Sequence, residues 1–282
     1  MGTLAAFYYV GILVNHLVAL RRFGRDLWQS RGLLLSLAKN DFRARYMTNQ
    51  LGMLWAFVQP SVLIAIFWFV FEVGFKSKPV ADFPFILWLI TGMVPWLFVA
   101  ESLQSATQSV LNHSFLVKKI VFRVALLPMI QIISALVIHL FFVAVMLAMY
   151  LGYGYRPSLY WLQIPYYLLA TLVLVQGLSW LTSAVVVFVR DLGQLVAMVV
   201  QFGFWLTPVF WSVAMLPERF QSLVQLNPIY YLVEGYRDSL IHQQWFWQQP
   251  GLTLQFWLIT GTLFVTGALV FRKLRPHFAD VI

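Results

Sequence analysis

Enzymatic chemistry needs acids, histidines or thiols at workable spacing, and this sequence keeps them apart. It holds ten acidic residues, five histidines and no cysteine, so thiolate catalysis, disulfides and cysteine metal sites are excluded. His16, His113, His139, His242 and His277 are scattered, and none stands at metal-ligand spacing from another. Asp41, Glu72 and Asp191 are too dispersed to serve a membrane-embedded glycosyltransferase. No Gly-x-x-x-x-Gly-Lys-Ser/Thr loop is present, so any ATP must be bound by a partner. His139 lies inside an apolar run, where an ionisable group marks a site by default; its bland reading is a neutral imidazole bonded to a neighbouring helix. Only Glu72 and Glu101 come near the apolar runs, both close to their ends. Transporters driven by proton or sodium gradients keep carboxylates deeper, so that class is disfavoured.

The elements that carry these residues are membrane helices. Hydrophobic residues make up 61% of the 282 positions and charged residues 10%, with a mean hydropathy of +0.79, far too apolar for an ordinary soluble domain. Runs of about 20 apolar residues match the length of helix that crosses a bilayer. Six spans are predicted at Leu54–Phe75, Phe85–Leu103, Leu126–Leu151, Leu162–Val189, Leu192–Val213 and Leu252–Phe271. They define a membrane-spanning domain over 51–282, preceded by an N-terminal segment over 1–50.

Charge placement orients the spans. Arg21, Arg22, Arg25, Arg31, Lys39, Arg43 and Arg45 precede the first span. Lys118, Lys119, Arg123, Arg190, Arg272, Lys273 and Arg275 follow even-numbered spans. The opposite side holds Lys76, Lys78, Arg156, Arg219 and Arg237, so the positive-inside rule puts both termini in the cytoplasm. The net charge of +9 is then largely topology, with no need of nucleic acid as partner. Leu4–Leu20 has no basic residue ahead of it and is interrupted by Asn15 and His16. This reads as a surface or partner-contacting stretch or a seventh span, not a cleaved signal. Over Leu33–Tyr46 the helical period gathers Ser36, Lys39, Asn40 and Arg43 on one arc, with Leu34, Leu35, Leu37, Ala38 and Phe42 opposite, as in an interfacial amphipathic helix. Asp41 and Arg45 intrude on the apolar side. Either they pair four residues apart, or Arg45 meets an anionic headgroup.

Several segments have local physical meaning. In RYMTNQLGMLWAFVQP, Gly52 lets the chain bend, Trp55 suits the interface and Pro60 breaks a backbone bond. GMVPWLF over 92–98 puts Pro95 in the second span, followed by Glu101. In the loop to the third span, Asn112 can cap a short helix, with Leu116 and Ile120 on one face and Lys118, Lys119 and Arg123 supplying charge. Arg190 and Asp191 in VRDLGQ suit a helix end and a helix start. Asn227 with Pro228 is a strong helix start, and Glu234, Arg237 and Asp238 can pair beyond it. The basic end FRKLRPHFADVI suits an anionic inner surface.

From Arg31 to Ile282 these segments resemble the permease subunits of bacterial ABC transporters that export O-antigen, capsule or teichoic acid chains. That resemblance implies an all-α membrane fold with an N-terminal interfacial helix, six spans and short re-entrant helices between spans five and six. It implies a homodimer in the bacterial inner membrane, with two copies of an ATPase subunit that hold ATP and Mg. Asn112, Leu116, Lys118, Lys119, Arg123, Arg190 and Asp191 would couple to that ATPase. Arg123 stands where the family often has proline, which touches local helix shape more than role. Arg45 and Trp55 would receive the headgroup, and Asn227, Pro228, Glu234 and Arg237 would form an outer gate. Aromatics are 17% of the chain. Most suit lipid interfaces, but sugars stack their C–H faces on rings, so Phe57, Phe67, Trp68, Phe202, Trp205 and Phe210 are expected to line a dimer pore. Polysaccharide is the leading cargo, with a drug or another lipid as the alternative.

Overall fold

The computed structural model describes residues 31–46, 52–76, 83–118 and 123–282. The reading of Leu4–Leu20 lies outside these residues. All regular structure among the described residues is helical. Helix α1 spans Arg31–Tyr46, α2 Gly52–Trp68, α3 Phe85–Asn112 and α4 Ser114–Val117. Helix α5 covers Leu127–Gly152, α6 Ile164–Val185 and α7 Leu192–Leu206. Helices α8 (Glu218–Gln225) and α9 (Pro228–Arg237) precede the long α10 (Pro250–Leu274) and the terminal turn α11 (Phe278–Val281). Among the described residues, five helical stretches are long and apolar enough to cross a membrane: Leu54–Gly74, Phe85–Asn112, Val124–Gly152, Leu159–Val185 and Pro250–Val281. The shorter apolar α7 has 15 residues.

Helix α3 is the hub. Its 28 residues rise about 42 Å, so it runs on to Asn112 where the sequence predicts an end near Leu103. Leu87, Met93, Val94, Phe98, Val99 and Ala106 are almost wholly buried along it. They join one core with residues of α5, α6 and α9. A second core at the far end joins Leu34 and Ala38 of α1 with Val110, Leu127, Trp180, Phe271 and Phe278.

Three expectations are corrected by these contacts. The sequence puts Leu35 on the apolar face of α1, but it is 61% exposed. The packed face instead runs through Leu34, Ala38, Asp41 and Arg45, because the two charges find polar partners on α3 and α5. The fifth apolar helix ends at Leu206, short of the predicted Val213. Thr207 precedes Pro208 and is extended at φ −90, ψ 136, the conformation that proline imposes on the residue before it. Asn112 caps nothing: it closes α3, and His113 stands at the cap of α4 without a side-chain cap bond.

Helices α6 and α10 approach at glycines, as small residues permit between helices in lipid. A Cβ on Gly177 would come 2.6 Å from the Cα of Phe264, and one on Gly267 would strike the Gly177 carbonyl. A Cβ on Gly261, on the same helix α10, would meet nothing within 4 Å. Gly267→Ala is therefore expected to destabilise the detergent-solubilised chain by about 1–3 kcal/mol. Gly261→Ala should be neutral or stabilise by up to about 1 kcal/mol. Thermal unfolding of both variants beside the parent checks the contrast, and equal behaviour would contradict this packing.

Candidate functional site

A cleft of about 270 Å³ opens between α2, α3 and α5. Trp55, Pro60 and Leu63 give it an apolar wall, while Gln59, Glu101, Gln104 and His139 bring polar atoms to it. Glu101 and Gln104 also line a second, more open basin of about 550 Å³ beneath α1, bordered by Asp41, Arg45, Asn112 and Gln131. Arg45 and Trp55, expected together as a headgroup site, line two different cavities that share Glu101 and Gln104.

Arg45 is not a bare cation there. Its Nη1 donates to Glu101 Oε1 at 2.8 Å, and its Nη2 lies 3.3 Å from Asp41 Oδ2. Asp41 is also held from α5, by Gln131 Nε2 at 2.8 Å and Ser134 Oγ at 2.9 Å. The pairing of Asp41 and Arg45 is thus an i,i+4 ion pair extended to a third charge on α3.

His139 of α5 also lines the cleft. Its ring lies 4.5 Å from that of Phe98, and its Nε2 is 3.1 Å from the Tyr236 hydroxyl. The bland reading of this histidine, a bond to a neighbouring helix, describes its geometry, and the helix concerned is α9.

Helix α9 begins as its sequence directs. Asn227 Oδ1 accepts from the Ile229 N–H at 3.0 Å, Pro228 takes the first turn, and Asn227 Nδ2 donates to Thr207 Oγ1 at 2.8 Å. Arg237 at its end is only 1% exposed. Its Nη1 donates to Glu234 at 2.6 Å and to the Pro208 carbonyl at 2.7 Å, and its Nη2 to the Val209 carbonyl at 2.7 Å. The guanidinium carbon sits 3.6 Å over the Trp88 ring, a cation–π contact strengthened by desolvation. Gly92 makes this approach possible, since a Cβ there would lie 2.7 Å from both Arg237 Nη2 and the Val209 carbonyl. Nothing in the sequence marks Trp88 or Gly92 as functional, although Gly92 heads the GMVPWLF motif. Beyond α9, His242 Nδ1 lies 3.0 Å from Asp238 Oδ1, and this hydrogen bond pushes the imidazole pKa up.

The aromatics expected to act together are only partly gathered. Phe67 meets Phe204 at 5.3 Å, Phe210 at 5.4 Å and Trp205 at 6.3 Å between ring centres. Phe210 is buried, whereas Phe202 and Trp205 are 59% and 55% exposed. Trp68 is also exposed. Phe57 lies apart, against Phe141 at 4.4 Å.

The residues expected to couple lie at the other end. Leu116 packs on the second core. Lys118 is exposed, with Nζ 3.4 Å from the Ile282 carbonyl. Lys119 lies outside the described residues. Arg123 is exposed where the chain enters α5, and Arg190 and Asp191 are exposed in the turn before α7. Asp191 occupies the cap position of α7 without a side-chain cap bond. Just beyond it, a Cβ on Gly193 would strike Gln108 of α3.

Truncating Arg237 should be costly, because the buried carbonyls and Glu234 lose their donor. Arg237→Leu is expected to lose about 3–5 kcal/mol. Arg237→Lys should recover only part, since an ammonium lacks the planar fork and its stacking. Chemical unfolding in detergent checks both; a lysine variant as stable as the parent would contradict this geometry.

The chain matches the ABC-2 type transporter family model over residues 32–241. It is 27% identical over 253 residues to an O-antigen export system permease protein RfbA of Klebsiella pneumoniae, covering 89% of this chain and 95% of that protein. It is 26% identical over 263 residues to a protein of the same name from Myxococcus xanthus, covering 93% and 99%. With the family model spanning most of a chain built from long apolar helices, this protein belongs to the ABC-2 type transporter family.

Proposed function

We propose that this chain is the membrane-spanning permease of an ATP-driven exporter that moves lipid-linked O-antigen across the inner membrane of a bacterium. The observation that carries the reading is its family membership, joined to the shared name of relatives it matches nearly end to end. A separate ATPase subunit, in two copies, supplies ATP and Mg, and two permease chains enclose the path.

Six crossings fit this reading better than five. Helix α7 starts beside Gln108 of α3, and the segment after it ends against Gly92. Those two positions are about 24 Å apart along the α3 axis, so α7 together with the segment to Val209 traverses most of a bilayer. Helices α8 and α9 then act as short re-entrant helices at the outer mouth, held by Arg237. Lys118 beside Ile282 is consistent with both on the cytoplasmic side. The exposed faces of α2 and α7, with Trp68, Phe202 and Trp205, suit a dimer pore whose rings stack weakly and repeatedly on a sliding sugar chain. Arg45 and Trp55 receive the lipid headgroup, and the Asn112–Arg123 loop with Arg190 and Asp191 meets the ATPase.

Removal of the gene should abolish long-chain lipopolysaccharide on the cell surface, seen on gels, and the parent chain should restore it. The Lys118→Glu, Lys119→Glu variant should co-purify with less ATPase subunit and fail to restore export. Full export by that variant would remove the coupling assignment. Unchanged surface polysaccharide after gene removal would remove the cargo.

A further inference from the structure

Helix α10 ends at Leu274, and the chain tightens into a 3-10 turn over Arg275–His277 that contains Pro276. Proline has no N–H to continue the helical ladder, and Phe278 follows, wholly buried. Its ring stands edge-on to Phe271 at 5.5 Å and lies 6.1 Å from Phe188. Phe188 belongs to the turn that carries Arg190 and Asp191 between α6 and α7. Leu116, Val117 and Ile282 pack on the same core as Phe278, and the Ile282 carbonyl accepts from Lys118 Nζ at 3.4 Å. Residues 278–282 therefore bridge the two segments expected to meet the ATPase.

Neither segment is long enough to fix its own position. Helix α4 has four residues, far below what holds without tertiary packing. The turn after α6 closes only locally, with the Phe188 and Val189 N–H groups on the Val185 carbonyl. Both segments rest instead on the core around Phe278. Each of the three also leaves an apolar side chain open: Phe115, Val189 and Val281 are 60%, 53% and 45% exposed. Apolar groups exposed on segments that pack together suit a surface that a partner covers.

We propose that Phe278 is a positioning residue for energy coupling: it holds the α4 loop and the turn at Arg190 and Asp191 in one register, so that the ATPase subunit meets them as a single surface. The use of that surface rests on the exporter reading, whereas the register rests on the packing alone. Truncating the Phe278 ring leaves a cavity beside both segments and lets each move without the other.

Hydrogen exchange of the full chain in detergent tests the register, and co-expression with its ATPase subunit tests the role. Phe278→Ala should speed amide exchange about ten-fold over both 114–118 and 186–192. Phe278→Leu, which refills most of the space, should stay near the parent. Phe188 is 39% exposed, so Phe188→Ala should loosen 186–192 without threatening the core, and it decides the matter if Phe278→Ala does not fold. Both alanine variants should still co-purify with the ATPase subunit and hydrolyse ATP, while the surface polysaccharide they restore falls about five-fold. Gly267→Ala, which loosens α10 against α6 instead, should show no such split between hydrolysis and export. Unchanged exchange over 186–192 in Phe188→Ala, or a rise confined to 275–282 in Phe278→Ala, overturns the register. Faster exchange with undiminished export, or the same split in Gly267→Ala, overturns the positioning role. Exchange needs neither cargo nor ATPase, so a parent chain that restores no polysaccharide removes the exporter reading and leaves the register standing.

Discussion

A guanidinium taken out of water must find charge and hydrogen bonds inside the protein, and Arg237 finds them on three separate elements. Glu234 supplies the charge from its own helix, and the carbonyls of Pro208 and Val209 supply acceptors. Those carbonyls are available because the chain leaves the helical path at Thr207 ahead of Pro208. Helix α3 supplies the floor, with Trp88 beneath the guanidinium and Gly92 leaving room beside it. A buried ion whose partners are scattered in sequence is costly to leave half-satisfied. The end of α7, the whole of α9 and the upper part of α3 are consequently fixed as one body. The Tyr166, Tyr231 and Thr253 hydroxyls tie that body onward to α6 and α10.

The depression below this body is connected to it. His139 borders the cleft and contacts Tyr236, the residue before Arg237. Phe98, stacked on His139, lies six residues along α3 from Gly92. Helices α3, α5 and α9 thus meet at one set of packed rings, Phe98, His139 and Tyr236. At the other end, Arg45 fastens α1 to α3 by an ion pair at the surface. The two contacts thus differ in kind: the one at Arg237 is buried and costly to break, and the one between Arg45 and Glu101 is more exposed and cheaper.

Much of this was legible in the sequence, for physical reasons. Long apolar runs can only be helices across a bilayer, and the starts of α3, α5 and α6 fall close to the expected positions. Asn227 before Pro228 is a purely local signal, and it caps α9 as expected. What failed was set by tertiary partners. An amphipathic arc places Leu35 inward on α1, but Asp41 and Arg45 have acids and amides waiting on α3 and α5, and the helix turns to meet them. Asn112 resembles a cap because nothing local says that α3 continues past Leu103. The burial of Arg237 could not be foreseen, since its acceptors lie 28 and 29 residues away and its floor on α3 is more distant still. Of the expected aromatics, Phe67, Trp205 and Phe210 cluster because α2 and α7 are neighbours, while Phe57 points to another helix.

If α7 crosses the membrane, the α8–α9 segment and the loop at Lys118 face opposite sides. Because the chain has no cysteine, a single one introduced at Ser222 or at Lys118, both exposed, reports its side directly. Labelling with a membrane-impermeant maleimide in spheroplasts should modify the Ser222→Cys protein in intact cells and the Lys118→Cys protein only after lysis. Protection of the thiol at both positions until lysis, or labelling of both before it, would put the two segments on one side and rule out a crossing by α7.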